Sequence, residues 1–301
     1  MRLLTRSDFD GLACGALLEY LGIIDDWKFV HPKDIQDGLV EAGPDDVLAN
    51  IPYIKGCKLW FDHHYSESER IGAYAYFEGV SRLAPSCARV IYEYYGGDEK
   101  LGRFREMIKF VDKVDSGDLD SDEILHPKGW ILLGFIMDPR TGLGRFRNFT
   151  ISNYDLMKKL AKACREKSID EILAMPDVRE RIELYNQQTE FFREMIEKYA
   201  RVDGRAIIVD LRGLETIQVG NRFLIYTMFP EQNISLFIVD GRNKQNCAIT
   251  VGYSIINRSA TVNVGSLLLK YGGGGHVQVG TCQVDYDDAD RVIREIIEAV
   301  R

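Results

Sequence analysis

Aspartate, asparagine and histidine recur in this 301-residue chain in patterns that suit a divalent cation. Asp8 and Asp10 lie in Arg6-Ser7-Asp8-Phe9-Asp10-Gly11, Asn50 opens Asn50-Ile51-Pro52-Tyr53, and Asp62, His63 and His64 are consecutive. Carboxylate oxygens mixed with imidazole nitrogens suit manganese, magnesium or zinc. A cation held that way polarises a phosphoryl oxygen and acidifies water, so the chemistry implied is that of phosphate. Taken alone, a D-x-D-G before a helix reads equally well as a turn with a helix cap. Two adjacent histidines straight after an apolar strand have no such packing explanation, and together the clusters favour function.

The elements that must carry these residues alternate between strand and helix. Short apolar runs at 3–5, 27–30, 46–49 and 58–61 read as strands, the third ending at Asn50 and the fourth at Asp62. A helix at 12–21 follows the first strand, and helices at 86–95 and 99–114 follow the fourth, the last closed by Asp115-Ser116-Gly117. Parallel strands with helical crossovers fit this order, and in such a sheet ligands gather beyond the carboxyl ends of the strands. Residues 131–136 form a buried run, followed by a loop carrying Arg140, Arg145 and Arg147; helices are expected at 154–174 and 177–200. Beyond Gly204 the runs at 206–210, 223–229, 234–239, 247–255 and 281–284 read as strands, with helices at 264–271 and 289–300. The expected fold class is α/β: a parallel-sheet domain over 1–150, a helical connector over 151–202 and a smaller α+β domain over 203–301.

Composition bounds the partners. Hydrophobic residues make up 46% and charged residues 28%, enough to build two cores. A net charge of -8 argues against duplex nucleic acid held on a broad basic face. Six cysteines without a CxxC pair read as reduced thiols. No apolar run approaches the roughly 20 residues of a membrane span. The expectation is a cytoplasmic protein that does not engage a membrane, with the oligomeric state open and a homodimer included.

The chain resembles the DHH phosphoesterase superfamily, named for the tripeptide present here as Asp62-His63-His64. The family's first motif, T-H-x-D-x-D-G, is matched by Thr5-Arg6-Ser7-Asp8-Phe9-Asp10-Gly11, and its fourth by Asp115-Ser116-Gly117. The C-terminal region looks like the DHH-associated domain through Gly272-Gly273-Gly274-Gly275-His276. This resemblance implies a two-lobed metal-dependent hydrolase, exopolyphosphatase-like or oligoribonuclease-like, cleaving a phosphodiester or phosphoanhydride bond with Mn2+ or Mg2+. By the same resemblance Asp8 binds a first metal, Asp10, His63 and Asp115 bind a second, and His64 faces the substrate phosphate or supports the attacking water.

Two positions depart from the family pattern. Arg6 stands where the family has a metal-binding histidine, and Asn50 where it has an aspartate bridging both metals. A guanidinium has no lone pair to offer a cation, and an amide oxygen brings no charge. One metal is therefore expected rather than two, with the Arg6 guanidinium pairing with Asp8 or gripping a phosphate oxygen. Gly273, Gly274, Gly275 and His276 could present donors to a phosphate, although a glycine hinge accounts for the same run. Arg140 and Arg258 are further phosphate candidates, with surface arginine as the plainer reading of each. The expected ligand is a phosphate-containing small molecule, polyphosphate or short single-stranded oligonucleotide. The alternative is a catalytically degenerate protein on the same scaffold that binds a nucleotide, single strand or protein partner without turnover.

Overall fold

The computed structural model of the chain describes residues 1–65, 67 and 77–301. These residues divide into two compact units, Met1–Leu119 with His126–Asn186, and Asp120–Leu125 with Gln187–Arg301.

The first unit is built on five strands: β1 (Arg2–Thr5), β2 (Asp26–Phe29), β3 (Asp46–Ala49), β4 (Leu59–Asp62) and β5 (Gly79–Ser81). They lie in the order β2-β1-β3-β4-β5, and every neighbouring pair is parallel. Parallel sheets are covered on both faces, which is why the strands read as unbroken apolar runs; Leu3, Leu4, Val47, Leu48, Trp60 and Phe61 are all fully buried. Helix α1 (Phe9–Tyr20) follows β1, α2 (Cys87–Tyr94) follows β5, and α3 (Arg105–Ser116), α4 (Gly129–Met137) and α5 (Asn153–Glu166) come later in the chain. Gly15 of α1 lets that helix meet the sheet closely, since a Cβ there would lie 1.6 Å from Trp27 Cη2. From β1 the chain passes to β2 on one side, and β3 then adds on the other. The order therefore reverses at β1/β3, the position where ligands gather beyond the carboxyl ends of an open parallel sheet.

Helix α6 (Pro176–Tyr199) contains the junction between Asn186 and Gln187 at which the two units divide. The second unit is a mixed six-stranded sheet in the order β10-β11-β9-β8-β7-β6, from β6 (Ala200–Asp203), β7 (Ala206–Asp210), β8 (Ile234–Asp240), β9 (Cys247–Tyr253), β10 (Gly274–Gly275) and β11 (Val279–Val284). In this sheet β7 and β8 pair in parallel and the other neighbouring pairs are antiparallel. Helices α7 (Leu224–Met228), α8 (Val264–Leu269) and α9 (Tyr286–Val300) belong to this unit, and α9 packs Val292, Ile296 and Ile297 into a core with Ile208, Leu236 and Ile249. The architecture is an α/β parallel-sheet unit with a smaller α+β unit.

Three local expectations change. Residues 223–229, expected as a strand, hold α7 with its flanking cap residues, entered through Asn221, whose Oδ1 accepts the Phe223 N–H at 2.8 Å. An apolar run this short carries no resolvable period, so packing decides between strand and helix. The single helix expected at 99–114 is interrupted by a 3-10 turn at Gly102–Phe104 before α3 begins. The helix expected at 154–174 breaks at Lys167, where Ser168 and Glu171 form a capping box that starts a new turn.

Candidate active site

The loop leaving β1 turns into α1 over three residues. Asp8 is the N-cap, its Oδ1 accepting from Gly11 N at 2.9 Å. A Cβ on Gly11 would lie 2.1 Å from Arg6 O, so the turn closes this tightly only with glycine. Asn50 sits at the end of β3 with φ 59, a left-handed backbone that asparagine tolerates well. Its N–H bonds Phe61 O at 3.1 Å, and its Nδ2 donates to Asp8 Oδ1 at 3.1 Å. Arg6 Nε lies 3.2 Å from Asp8 Oδ2. Both oxygens of Asp8 are thus engaged by protein donors.

Asp10, in the first turn of α1, is 1% exposed. Cys87 N donates to its Oδ2 at 2.9 Å and Ala88 N to its Oδ1 at 2.8 Å, both from the first turn of α2, where unpaired N–H groups favour an anion. His63 Nε2 lies 3.5 Å from Asp10 Oδ2 and 3.4 Å from Asp115 Oδ2. Its other nitrogen, Nδ1, is 3.2 Å from Ala84 O; a carbonyl only accepts, so Nδ1 carries a proton and Nε2 is left to face the two carboxylates. Asp115 arrives on the last turn of α3, just before Gly117 ends that helix with φ 69.

Electrostatics follows from this crowding. Burial, and then the charge of Asp115, push the Asp10 carboxyl up to about 7 against the pull of His63. Burial works against a charged His63, yet Asp115, Asp10 and Asp62 outweigh it and raise its pKa. Beside it, Asp62 is fully buried and is raised by that burial to about 7. Its Oδ1 lies 2.9 Å from His64 Nδ1, and its Oδ2 accepts the His64 N–H at 3.2 Å. Burial, with the positive charges of His63 and Arg6, holds His64 well below the ordinary histidine range, so its imidazole is neutral. Arg140 is fixed by Asp138 through Nε to Oδ1 at 2.8 Å, and against partial desolvation the charges of Asp138, Asp115 and Asp8 raise its pKa.

The remaining candidates belong to the second unit. Gly273 N bonds Leu268 O and His276 N bonds Val279 O, so the backbone there is largely satisfied from within. A Cβ on Gly273 would meet Thr281 O at 2.3 Å and one on Gly275 would meet Val279 O at 2.2 Å, so close approach of β11 demands these glycines; Gly274 pairs with Thr281. Arg258 Nε donates to Ile255 O at 3.0 Å.

Nε2 of His63 and the two facing carboxylate oxygens can each offer one ligand atom, all within 4.8 Å of one another. Such a set is electrostatically stable only with positive charge on it or within it. Two hard oxygens and one borderline nitrogen fit Mn2+, Mg2+ or Zn2+. Sequence reasoning did not find the backbone of Ala84, Cys87 and Ala88, which holds His63 and Asp10, because main-chain contacts leave no mark on residue type. Asp112, one helical turn before Asp115, accepts hydrogen bonds from Ser86 and Arg89.

No family model matches the chain, and no curated protein matches it. Among the described residues no helix is long and apolar enough to cross a membrane. The structure of RecJ from Thermus thermophilus, in complex with Mn2+, aligns with 99% of this chain and 51% of its own at a TM-score of 0.56, but at 13% identity the likeness is one of fold. The pGpG-specific phosphodiesterase PggH from Vibrio cholerae is 47% identical over 99% of this chain and 98% of that one, with a TM-score of 0.75. With that identity across both lengths, and with Asp10, His63 and Asp115 meeting at the carboxyl ends of the parallel strands, the chain belongs to the DHH phosphoesterase superfamily.

Proposed function

We propose that the protein hydrolyses the phosphodiester bond of a short linear nucleotide with one divalent cation, Mn2+ or Mg2+, held by Asp10, His63 and Asp115. The observation that carries this reading is the meeting of His63 Nε2 with Asp10 Oδ2 and Asp115 Oδ2 at 3.5 and 3.4 Å. When bound there, a divalent cation supplies Lewis-acid polarisation of a phosphoryl oxygen and acidifies water. Similarity to a pGpG-specific phosphodiesterase supports a linear dinucleotide as the substrate class. In that reaction water adds across one P–O bond, so a dinucleotide and one water give two mononucleotides and the leaving hydroxyl takes a proton.

The chain's own residues take defined parts. With Asp62 ionised, His64 Nδ1–H is directed to it, and Nε2 is the atom that exchanges a proton with water or the leaving oxygen. Arg6 and Arg140 neutralise phosphate charge, Arg6 being held by Asp8 and Arg140 by Asp138. Asp8 and Asn50 then serve Arg6 rather than a second cation. In the second unit, His276 on the turn of Gly273, Gly274 and Gly275, together with Arg258, is proposed as a phosphate-binding surface.

Engagement of Asp8 by Arg6 and Asn50 also favours a second reading, a protein that binds its nucleotide without turnover. One assay decides between them: linear pGpG, a cyclic dinucleotide, pyrophosphate and polyphosphate are incubated with Mn2+ and either the protein or Asp10→Ala. Hydrolysis of the linear dinucleotide that disappears in Asp10→Ala is the expected result. No turnover of any compound, or equal rates in both proteins, removes the hydrolase reading.

A further inference from the structure

Asp112 lies one helical turn before Asp115 on α3, on the same face, and its carboxylate is bonded to the start of α2. Ser86 Oγ donates to its Oδ1 at 2.7 Å, and Arg89 donates to its Oδ2 from Nε at 2.9 Å and Nη2 at 2.6 Å. Ser86 is at the same time the N-cap of α2, accepting from Arg89 N at 3.0 Å. In the segment 84–88 around this cap, three residues touch the proposed ligands. Ala84 O takes the Nδ1 proton of His63, while Cys87 N and Ala88 N bind the two oxygens of Asp10.

Resting on the single-cation reading, the geometry points to Asp112 as a positioning residue: with Ser86 and Arg89 it locks the junction that orients Asp10 and His63 to the helix that presents Asp115. All three ligands are thereby referred to one carboxylate. The physical reason for such a device is that a cation tolerates little error in donor placement. Asp10 comes from one helix, Asp115 from another and His63 from a strand end, and no local geometry fixes their mutual distances. Groups that hold ligands from behind characteristically matter to metal affinity by 10–100-fold when lost. A purely structural cap on α2 would change stability and leave the ligand set as it was.

The test uses the full-length protein stripped of metal, as wild type, Asp112→Ala, Arg89→Gln and Asp10→Ala. Calorimetry gives the Mn2+ affinity, and hydrogen exchange gives the protection of the Cys87 and Ala88 amides in the absence of metal. Expected in Asp112→Ala are about 10–100-fold weaker Mn2+ binding and faster exchange at those two amides, with the Leu48 amide in the sheet unchanged. Arg89→Gln keeps Ser86 bonded to Asp112 and is expected to show a smaller shift in the same directions; it carries the prediction should Asp112→Ala fail to fold. Wild-type affinity and protection in folded Asp112→Ala overturn the proposal. Absence of Mn2+ uptake by the wild type defeats the single-cation reading instead, and the exchange arm, which needs no metal, still decides whether Asp112 positions Asp10.

Discussion

Asn50 donates from Nδ2 to Oδ1 of Asp8 at 3.1 Å, joining two residues 42 positions apart at the ends of adjacent parallel strands. The bond needs a donor on one side and a carboxylate on the other. Asn50→Asp sets two carboxylates face to face in a buried position, which is tolerable only with a proton or a cation between them. The expected outcome is a lower melting temperature for metal-free Asn50→Asp than for wild type. Combined with Arg6→His, Mn2+ stoichiometry by calorimetry is expected to rise from one to two. A double variant that still binds a single ion would show that Asp8 was not withheld from metal by these two residues.

Metal-linked stability is expected to grow with pH. Asp10 and Asp62 are both raised to about 7 from 3.8, so the folded state retains protons that the unfolded chain releases. Each therefore supports the metal-free fold at low pH, and that support is lost as pH rises through the window from about 4 to 7. His63, raised from 6.5, acts in the same direction; His64, lowered from 6.5, acts in the opposite one. A cation replaces the lost protons at Asp10 and His63, so the Mn2+-induced rise in melting temperature should be larger at pH 8 than at pH 5.5. An equal or smaller rise at pH 8 would count against Asp10 and His63 as ligands.

The duties proposed for the neighbours His64 and His63 are separable by mutation. His64→Ala is expected to lower kcat on a linear dinucleotide by about 10²–10⁴-fold while Mn2+ stoichiometry stays as in wild type. His63→Ala is expected to abolish Mn2+ binding as well. If His64→Ala instead lost the metal and His63→Ala retained it, the two roles would have to be exchanged.

Gly15→Ala sets two effects of opposite sign against each other. Alanine in a helix interior gains up to about 1 kcal/mol over glycine. The new methyl would fall within 1.6 Å of Trp27, a buried ring tied to Glu19 by a 2.6 Å hydrogen bond. Overpacking of this kind costs about 1–3 kcal/mol, so net destabilisation in urea titration is expected. A variant as stable as wild type would mean that Trp27 shifts freely and does not fix how α1 meets the sheet.

Much of the first unit is written locally. Four of its strands and the helix after β1 announce themselves as apolar runs and a capped helix start, and Asp8, Asn50 and Asp62 each stand where a strand stops. Those are short-range signals, set by side-chain type within a few residues, and the convergence of the three strand ends follows from parallel pairing alone. Residues 223–229 show the limit of that reading, since the run reads as a strand and forms a helix once packed in its core.

The amino-acid order by itself determined which residues could ligate a cation, that Arg6 and Asn50 could not do so in the usual way, and that an acidic protein would need a local source of positive charge. Tertiary structure alone decided which contacts those residues make. That Arg6 and Asn50 both engage Asp8, that Asp112 bonds Ser86 and Arg89, and that the main chain of Cys87 and Ala88 holds Asp10 depend on contacts spanning up to 78 positions. The reason is physical: distances of about 3 Å between distant parts of a chain are set by how helices and sheet pack together, and no residue carries that information alone.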